Sequence, residues 1–262
     1  YMKILKLFFN EFLYYITGYW IINKKHFDRN SRFNFIKRIL AKEKTLGSEK
    51  MIIFDVGQNM GQSTDMFLKI LKINDISNYE IHAFEPEKKS YDVCYKKFST
   101  NKNIILNNIG LSNNNSVKQR EFYEYENTLN NSLYRIDRTH FKVKKVSQVF
   151  ITSINKYCEE NNINKINFLK IDTEGEEPNI IEGASHLISK NLIHYIDTEL
   201  TVGSFYLNKK SNILDIENKL TPMYCLFGIS NDGYSEINSA DQFEENGVIT
   251  KILNYKNVKI KL

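Results

Sequence analysis

The sequence predicts an α/β domain: a mostly parallel sheet with helices on both faces, a C-terminal antiparallel strand and an N-terminal helical extension. Three observations predict it. Short apolar runs rich in β-branched residues alternate with segments of helical period, a glycine-bearing turn follows the first run, and acidic residues collect at the ends of later runs. At 262 residues, with 42% hydrophobic and 26% charged, the chain can bury a full core. Its 11 Gly and 3 Pro leave no obvious flexible linker, so one main domain is expected over 49–262, with an extension over 1–48.

Residues 30–46 carry Phe33, Ile36, Ile39 and Leu40 at helical spacing. MIIFDV (51–56) reads as a buried strand, GQSTDMFLKILKI (61–73) as a helix, and EIHAFEP (80–86) as a second strand with a helix through SYDVCYKKF after it. NIILNNIGL (103–111) is expected as a third strand. VFITSINKYCEENN (149–162) is expected as a helix leading into the fourth strand, INFLKID (166–172). PNIIEGASHLI is then helical and LIHYIDTEL (192–200) is the fifth strand. From 213 onward come a helix, ILDIENKL, and the runs MYCLFGI, GVITKIL and NVKIKL, which suit a terminal antiparallel hairpin. Residues 112–147 break the alternation. They are polar, aromatic and long for a connection, and two readings stand: a lid over a site, or a surface hairpin insertion without a role.

Residues 2–23 are apolar but interrupted by Lys3, Lys6 and Glu11, and no small-residue cleavage site follows. They read as an amphipathic helix packed on the domain, or as an interfacial helix with Tyr14, Tyr15 and Trp20 at lipid headgroups. Cys94, Cys158 and Cys225 are far apart and form no CxxC pair, which argues against zinc and a disulfide framework and for a reducing cytoplasm. The net charge of +5 comes from Lys spread among Asn and Ile, a compositional bias rather than a nucleic-acid surface.

Four stretches carry chemistry. In Asp55-Val56-Gly57-Gln58-Asn59-Met60-Gly61 the glycines allow a tight turn and a close approach of the following helix. The spacing is G-x-x-x-G with Asn59 between, not the G-x-G-x-x-G that brings amides against a pyrophosphate. An acidic residue before the turn, Asp55, suits the ammonium of an amino-acid tail, directly or through water. Glu85, ending the second strand, suits a ribose diol. Gly110, in NIGLS, lets the backbone lie near an adenine plane. Finally LKIDTEGEEP places Asp172, Glu174, Glu176 and Glu177 at the end of a buried strand. Such a cluster repels itself unless a cation is near, although a helix N-terminus accounts for Glu177 and for Glu176.

Taken together, FDVGQNMGQ, HAFEPE, NIGLS and INFLKIDTEGEEPNIIEGA resemble the FkbM family of methyltransferases over about residues 50–200. The resemblance implies a class I methyltransferase, Rossmann-like fold with S-adenosyl-L-methionine as cofactor and a hydroxyl acceptor. It implies that Asp55, Gly57, Asn59, Gly61, Glu85, Gly110 and Asp172 hold the cofactor, and that Asp172 and Glu174 line the reaction centre. A poor hydroxyl nucleophile needs a general base, for which Asp172 and Glu174 lead and His140, in the long insertion, is a further candidate. No metal is assigned, although Asp172 with Asp197 or Glu199 could supply oxygen ligands to Mg²⁺. No [DN]-P-P-[YF] motif for an exocyclic amine exists among the 3 prolines. The expected function is O-methylation of a small-molecule or glycan acceptor, a sugar of a bacterial surface glycan, with no nucleic-acid partner. The enzyme would be cytoplasmic, with peripheral contact at the inner membrane through the N-terminal helix. A lipid or natural-product hydroxyl, and a non-catalytic scaffold of the same fold, are the alternatives.

Overall fold

The computed structural model describes residues 30–47, 50–207, 209–211, 213–230 and 249–257. The apolar segment 2–23, and NVKIKL beyond its first residue, lie outside the described residues. In chain order the elements are α1 (Asn30–Thr45), β1 (Met51–Val56), α2 (Gln62–Ile73), β2 (Tyr79–Phe84), α3 (Lys88–Phe98), β3 (Ile104–Asn107), β4 (Gly110–Ser112), β5 (Lys118–Glu124), β6 (Lys145–Ser153) and α4 (Ile154–Glu160). They continue with β7 (Ile166–Ile171), α5 (Glu177–Glu182), α6 (Ser185–Ser189), β8 (Ile193–Tyr206), β9 (Lys209–Ser211), α7 (Ile213–Leu220), β10 (Tyr224–Ser230) and β11 (Ile249–Asn257).

The main sheet runs β3-β2-β1-β7-β8-β11-β10, with β9 on β8. β1, β2, β3, β7 and β8 pair in parallel, and β11 is antiparallel to both β8 and β10. This is the expected Rossmann-like sheet with its antiparallel C-terminal strand. Alternation in β1 sends Phe54 and Val56 to one core and Ile53 to the other. The first core takes Ile180 and Ile181 of α5, Leu187 of α6 and Ile216 and Leu220 of α7. The second takes Ile36, Ile39 and Leu40 of α1, Phe67 and Ile70 of α2 and Cys94 and Phe98 of α3. Helices therefore cover both faces, and each fully buried Phe, such as Phe54, Phe67 or Phe168, contributes about 1.5–3 kcal/mol. Among the described residues no helix is long and apolar enough to cross a membrane.

Two sequence expectations are corrected. VFITS is not helical: Lys145–Ser153 form β6, and the helix begins only after Ser153, whose Oγ accepts from the Lys156 amide at 3.1 Å. The β-branched run outweighs the helical spacing, and Ser153 is a helix cap. NIILNNIGL is likewise two strands. β3 ends at Asn107, the Asn108 amide group donates to the carbonyls of Glu85 (2.9 Å) and Pro86 (3.0 Å), and the chain leaves the main sheet. β4, β6 and β5 then form a second, three-stranded sheet, so the insertion is folded rather than an irregular loop.

Candidate functional site

The site lies where β1, β2 and β7 end beside β8, the edge at which open parallel sheets bind ligands. Register builds it in two tiers. In the lower tier Asp55, Lys170 and Asp197 stand in one row across β1, β7 and β8. Arg32 of α1 extends the row, its Nη2 2.6 Å from Asp197 Oδ2. All four are buried, and their charges balance two against two. In the upper tier Asp172 follows β7 and Glu199 lies two residues beyond Asp197 on β8.

Gly57 closes β1 with φ +77°, and a Cβ there would lie 1.7 Å from the Asp172 carbonyl oxygen. That contact, more than the turn alone, requires glycine. Gly61 also has positive φ (+88°), but its Cβ would strike the Phe98 ring at 2.5 Å. It serves the approach of α3. A Cβ on Gly110 would lie 3.2 Å from Ile151 and 3.5 Å from Pro86. Asn59 adopts φ 49°, donates its amide to Glu85 Oε2 at 2.8 Å, and accepts from Thr128 of the insertion at 3.2 Å.

Asp55 is fully buried. It accepts from Ser63 Oγ at 2.7 and 2.8 Å and from Thr64 Oγ1 at 2.7 Å, and lies 3.3 Å from Lys170 Nζ. Asp55 thereby anchors the start of α2. Thr64 spends its hydroxyl proton on Asp55, so Gln58 Nε2 must donate to Thr64 (2.9 Å), which leaves Gln58 Oε1 buried without a partner. Glu85 accepts one backbone amide on each oxygen, from Asn59 and Glu87, and keeps a second lone pair on each. Burial outweighs these amides and raises its pKa to about 7.

The acidic run divides. Glu177 accepts from the Thr173 amide (2.8 Å), the Thr173 hydroxyl (2.9 Å) and the Gly175 amide (3.2 Å), fixing the turn. Glu176 is 1% exposed and takes Ser112, Arg120, Tyr134 and Asn179, fastening the insertion to this loop. Asp172 and Glu174 remain partly exposed beside Glu199. Glu174 has φ 54°, which costs a residue with a Cβ about 1 kcal/mol or more, and its conformation is held from outside. Ser132 donates to its carbonyl at 2.6 Å and Tyr206 to its Oε2 at 2.8 Å. Burial, then the charge of Asp172, raise Glu174 to about 8. Burial would raise Asp172 too, but Lys170 and Arg32 outweigh it and hold its carboxyl below the ordinary range. Burial, then the charges of Glu174 and Asp172, push the Glu199 carboxyl well above the ordinary range.

Asp172, Glu174 and Glu199 each bring one oxygen within 4.8 Å of the others, the group among the described residues that could hold a divalent ion. Asp197 does not join them, since Arg32 engages it in the tier below. His140 is exposed on the insertion, tilted against Phe141 at 4.6 Å between ring centroids.

The sequence reading missed Lys170, Tyr206 and Arg32. A lysine inside INFLKI was the available signal, because a charge in a strand buried on both faces must be paired. Tyr206 and Arg32 carried no local signal, since their roles arise from contacts with residues 32 and 165 positions away.

The sequence model of the methyltransferase FkbM domain matches residues 55–234. No curated protein matches the chain. Among solved structures it is similar to methyltransferase FkbM from Methylobacillus flagellatus, with 13% identity, a TM-score of 0.48, and 79% of this chain and 43% of that one covered. It thus spans under half the length of that relative. A SAM-dependent methyltransferase from Aquifex aeolicus matches at 10% identity and TM-score 0.37, covering 90% and 96%. The fibrillarin pre-rRNA processing protein of Methanococcus jannaschii matches at 11% and 0.42, covering 80% and 67%.

Proposed function

The chain belongs to the FkbM methyltransferase domain family, and from that premise we propose that it methylates a hydroxyl oxygen with S-adenosyl-L-methionine as donor. The observation that carries the reading is the pair Asp172 and Glu174. They are partly exposed, held at the sheet edge beside the Gly57 turn and given opposite proton affinities.

The residues at the turn fit the cofactor. Gln58 Oε1 is a buried acceptor without a donor, which an ammonium would supply, and Glu85 has lone pairs for two ribose hydroxyls. S-adenosyl-L-methionine supplies a methyl group on a sulfonium, whose departure leaves a neutral thioether. The chain's part is positioning and proton transfer. Asp172 stays ionised beside Lys170 and stabilises positive charge in the site. Glu174 takes the acceptor's proton on Oε1, since Tyr206 occupies Oε2. A base with a pKa near 8 is matched to neutral conditions, where general bases contribute roughly 10²–10⁴-fold. The insertion is fastened at Asn59, Glu174 and Glu176.

As acceptor we propose a sugar hydroxyl of a bacterial surface glycan, by kinship rather than by any residue. The Asn-, Lys- and Ile-rich composition suits a bacterium of low GC content. Such an enzyme would work in the cytoplasm, at the inner membrane face if residues 2–23 bind it. The test is a screen of nucleotide-sugars and glycans with labelled donor, with Glu174→Gln beside the wild type. Label in an alkali-stable sugar ether supports the reading; label confined to amines or nucleic acid refutes it.

A further inference from the structure

Lys170 is 2% exposed, and its ammonium meets four acceptors at once. It donates to the carbonyl oxygens of Gly57 at 2.7 Å and Val56 at 3.2 Å, and lies 3.3 Å from Asp55 Oδ1 and 3.5 Å from Asp172 Oδ2. Only the contact with Asp55 belongs to the buried row Asp55–Lys170–Asp197–Arg32. That row is already balanced in charge, so neutrality does not account for the contacts made upward. The shortest of these is to Gly57, the residue that begins the cofactor turn and whose positive φ turns its carbonyl out of the strand ladder. The ladder itself ends one step earlier, at the Asp172 amide donating to Val56 O (3.1 Å). Lys170 continues it by one rung with a side chain.

We propose that Lys170 is a positioning residue of methyl transfer, tying the Gly57 end of the donor-binding turn and the Asp172 carboxylate of the acceptor side to one ammonium. The proposal rests on the methyltransferase reading and adds a residue to it. A displacement of about 1 Å between reacting groups can cost about 10²-fold in rate, so a shared anchor under both sides has a direct use. Lysine suits the place, since three donors on a flexible stem can serve a carbonyl pair and two carboxylates that arginine's planar fork would not.

Lys170→Ala removes three methylenes and the ammonium, a gap the size of propylammonium. In calorimetric titration with S-adenosylhomocysteine, the folded variant should bind at least about tenfold more weakly than wild type. Added n-propylammonium, but not 1-propanol, should restore much of the loss. Affinity within about twofold of wild type, or equal recovery with both additives, overturns the proposal. If the variant does not fold, Lys170→Met with Asp55→Asn keeps the buried row balanced and is compared with Asp55→Asn alone. A tenfold gap between those two supports the role, and equal affinities overturn it. Wild type failing to bind S-adenosylhomocysteine would instead sink the methyltransferase reading, before any variant is compared.

Discussion

Glu174 adopts a left-handed backbone that a side chain rarely tolerates, and it is held there by Ser132 on its carbonyl and Tyr206 on its carboxylate. Glu174→Gln keeps both contacts in shape but removes the base. Turnover should fall about 10²–10⁴-fold while affinity for S-adenosylhomocysteine changes little; equal losses in both would mean that the residue only binds. A second consequence concerns stability. The folded pKa values of Glu174, about 8, and Glu85, about 7, lie above the ordinary carboxylate value of 4.5. Between pH 4.5 and 8 the folded chain therefore holds protons that the unfolded chain has released, so stability falls as pH rises through that window. The Glu85→Gln/Glu174→Gln variant carries no such protons. Its melting temperature should gain on wild type from pH 5 to pH 8, and parallel melting curves would contradict the assigned environment. Asp172 and Glu174 were legible in the sequence because a carboxylate cluster after an apolar strand requires a cation or a shared proton. Lys170, two residues before Asp172, was not recognised, since its partners depend on strand register.

At the scale of elements, the insertion is the part least visible in advance. Its strands carry polar, exposed faces, so periodicity was weak, and VFITS ran into a true helix without a glycine or proline between. Asn107-Asn108 was the overlooked break, where a side-chain amide replaces ladder bonds. Beside the Ser132 bond to the Glu174 carbonyl, the folded insertion is attached to the acidic loop through one buried carboxylate, Glu176. Glu176→Ala strands the Ser112, Tyr134 and Asn179 donors and should cost at least about 2 kcal/mol in urea unfolding. Amide exchange over 118–136 should rise with it. Unchanged exchange there would show that the insertion is held by β4, β5 and β6 alone. On the opposite face, α1 is part of the core: Leu40 is fully buried against the sheet, and Leu40→Ala should cost about 2–5 kcal/mol by thermal or urea melting.

Across the whole molecule, the mostly parallel sheet with helices on both faces followed from sequence because buried parallel strands must be apolar and their helices must alternate in period. The two-tier arrangement at the sheet edge did not, because it joins residues 32, 55, 170 and 197, which only the assembled sheet brings into one row. That row sets a neutral floor, and above it the acidic tier faces the place where a cation is expected. The account therefore turns on cofactor recognition at the Gly57 turn, and calorimetric titration of the intact chain with S-adenosylhomocysteine tests it most directly. The predicted result is saturable binding at one site per chain, accompanied by thermal stabilisation of about 2.7 kcal/mol at a hundredfold excess over Kd. Absence of both heat and stabilisation at about 1 mM ligand, where even a weak site of roughly −4 kcal/mol would be half filled, would contradict it.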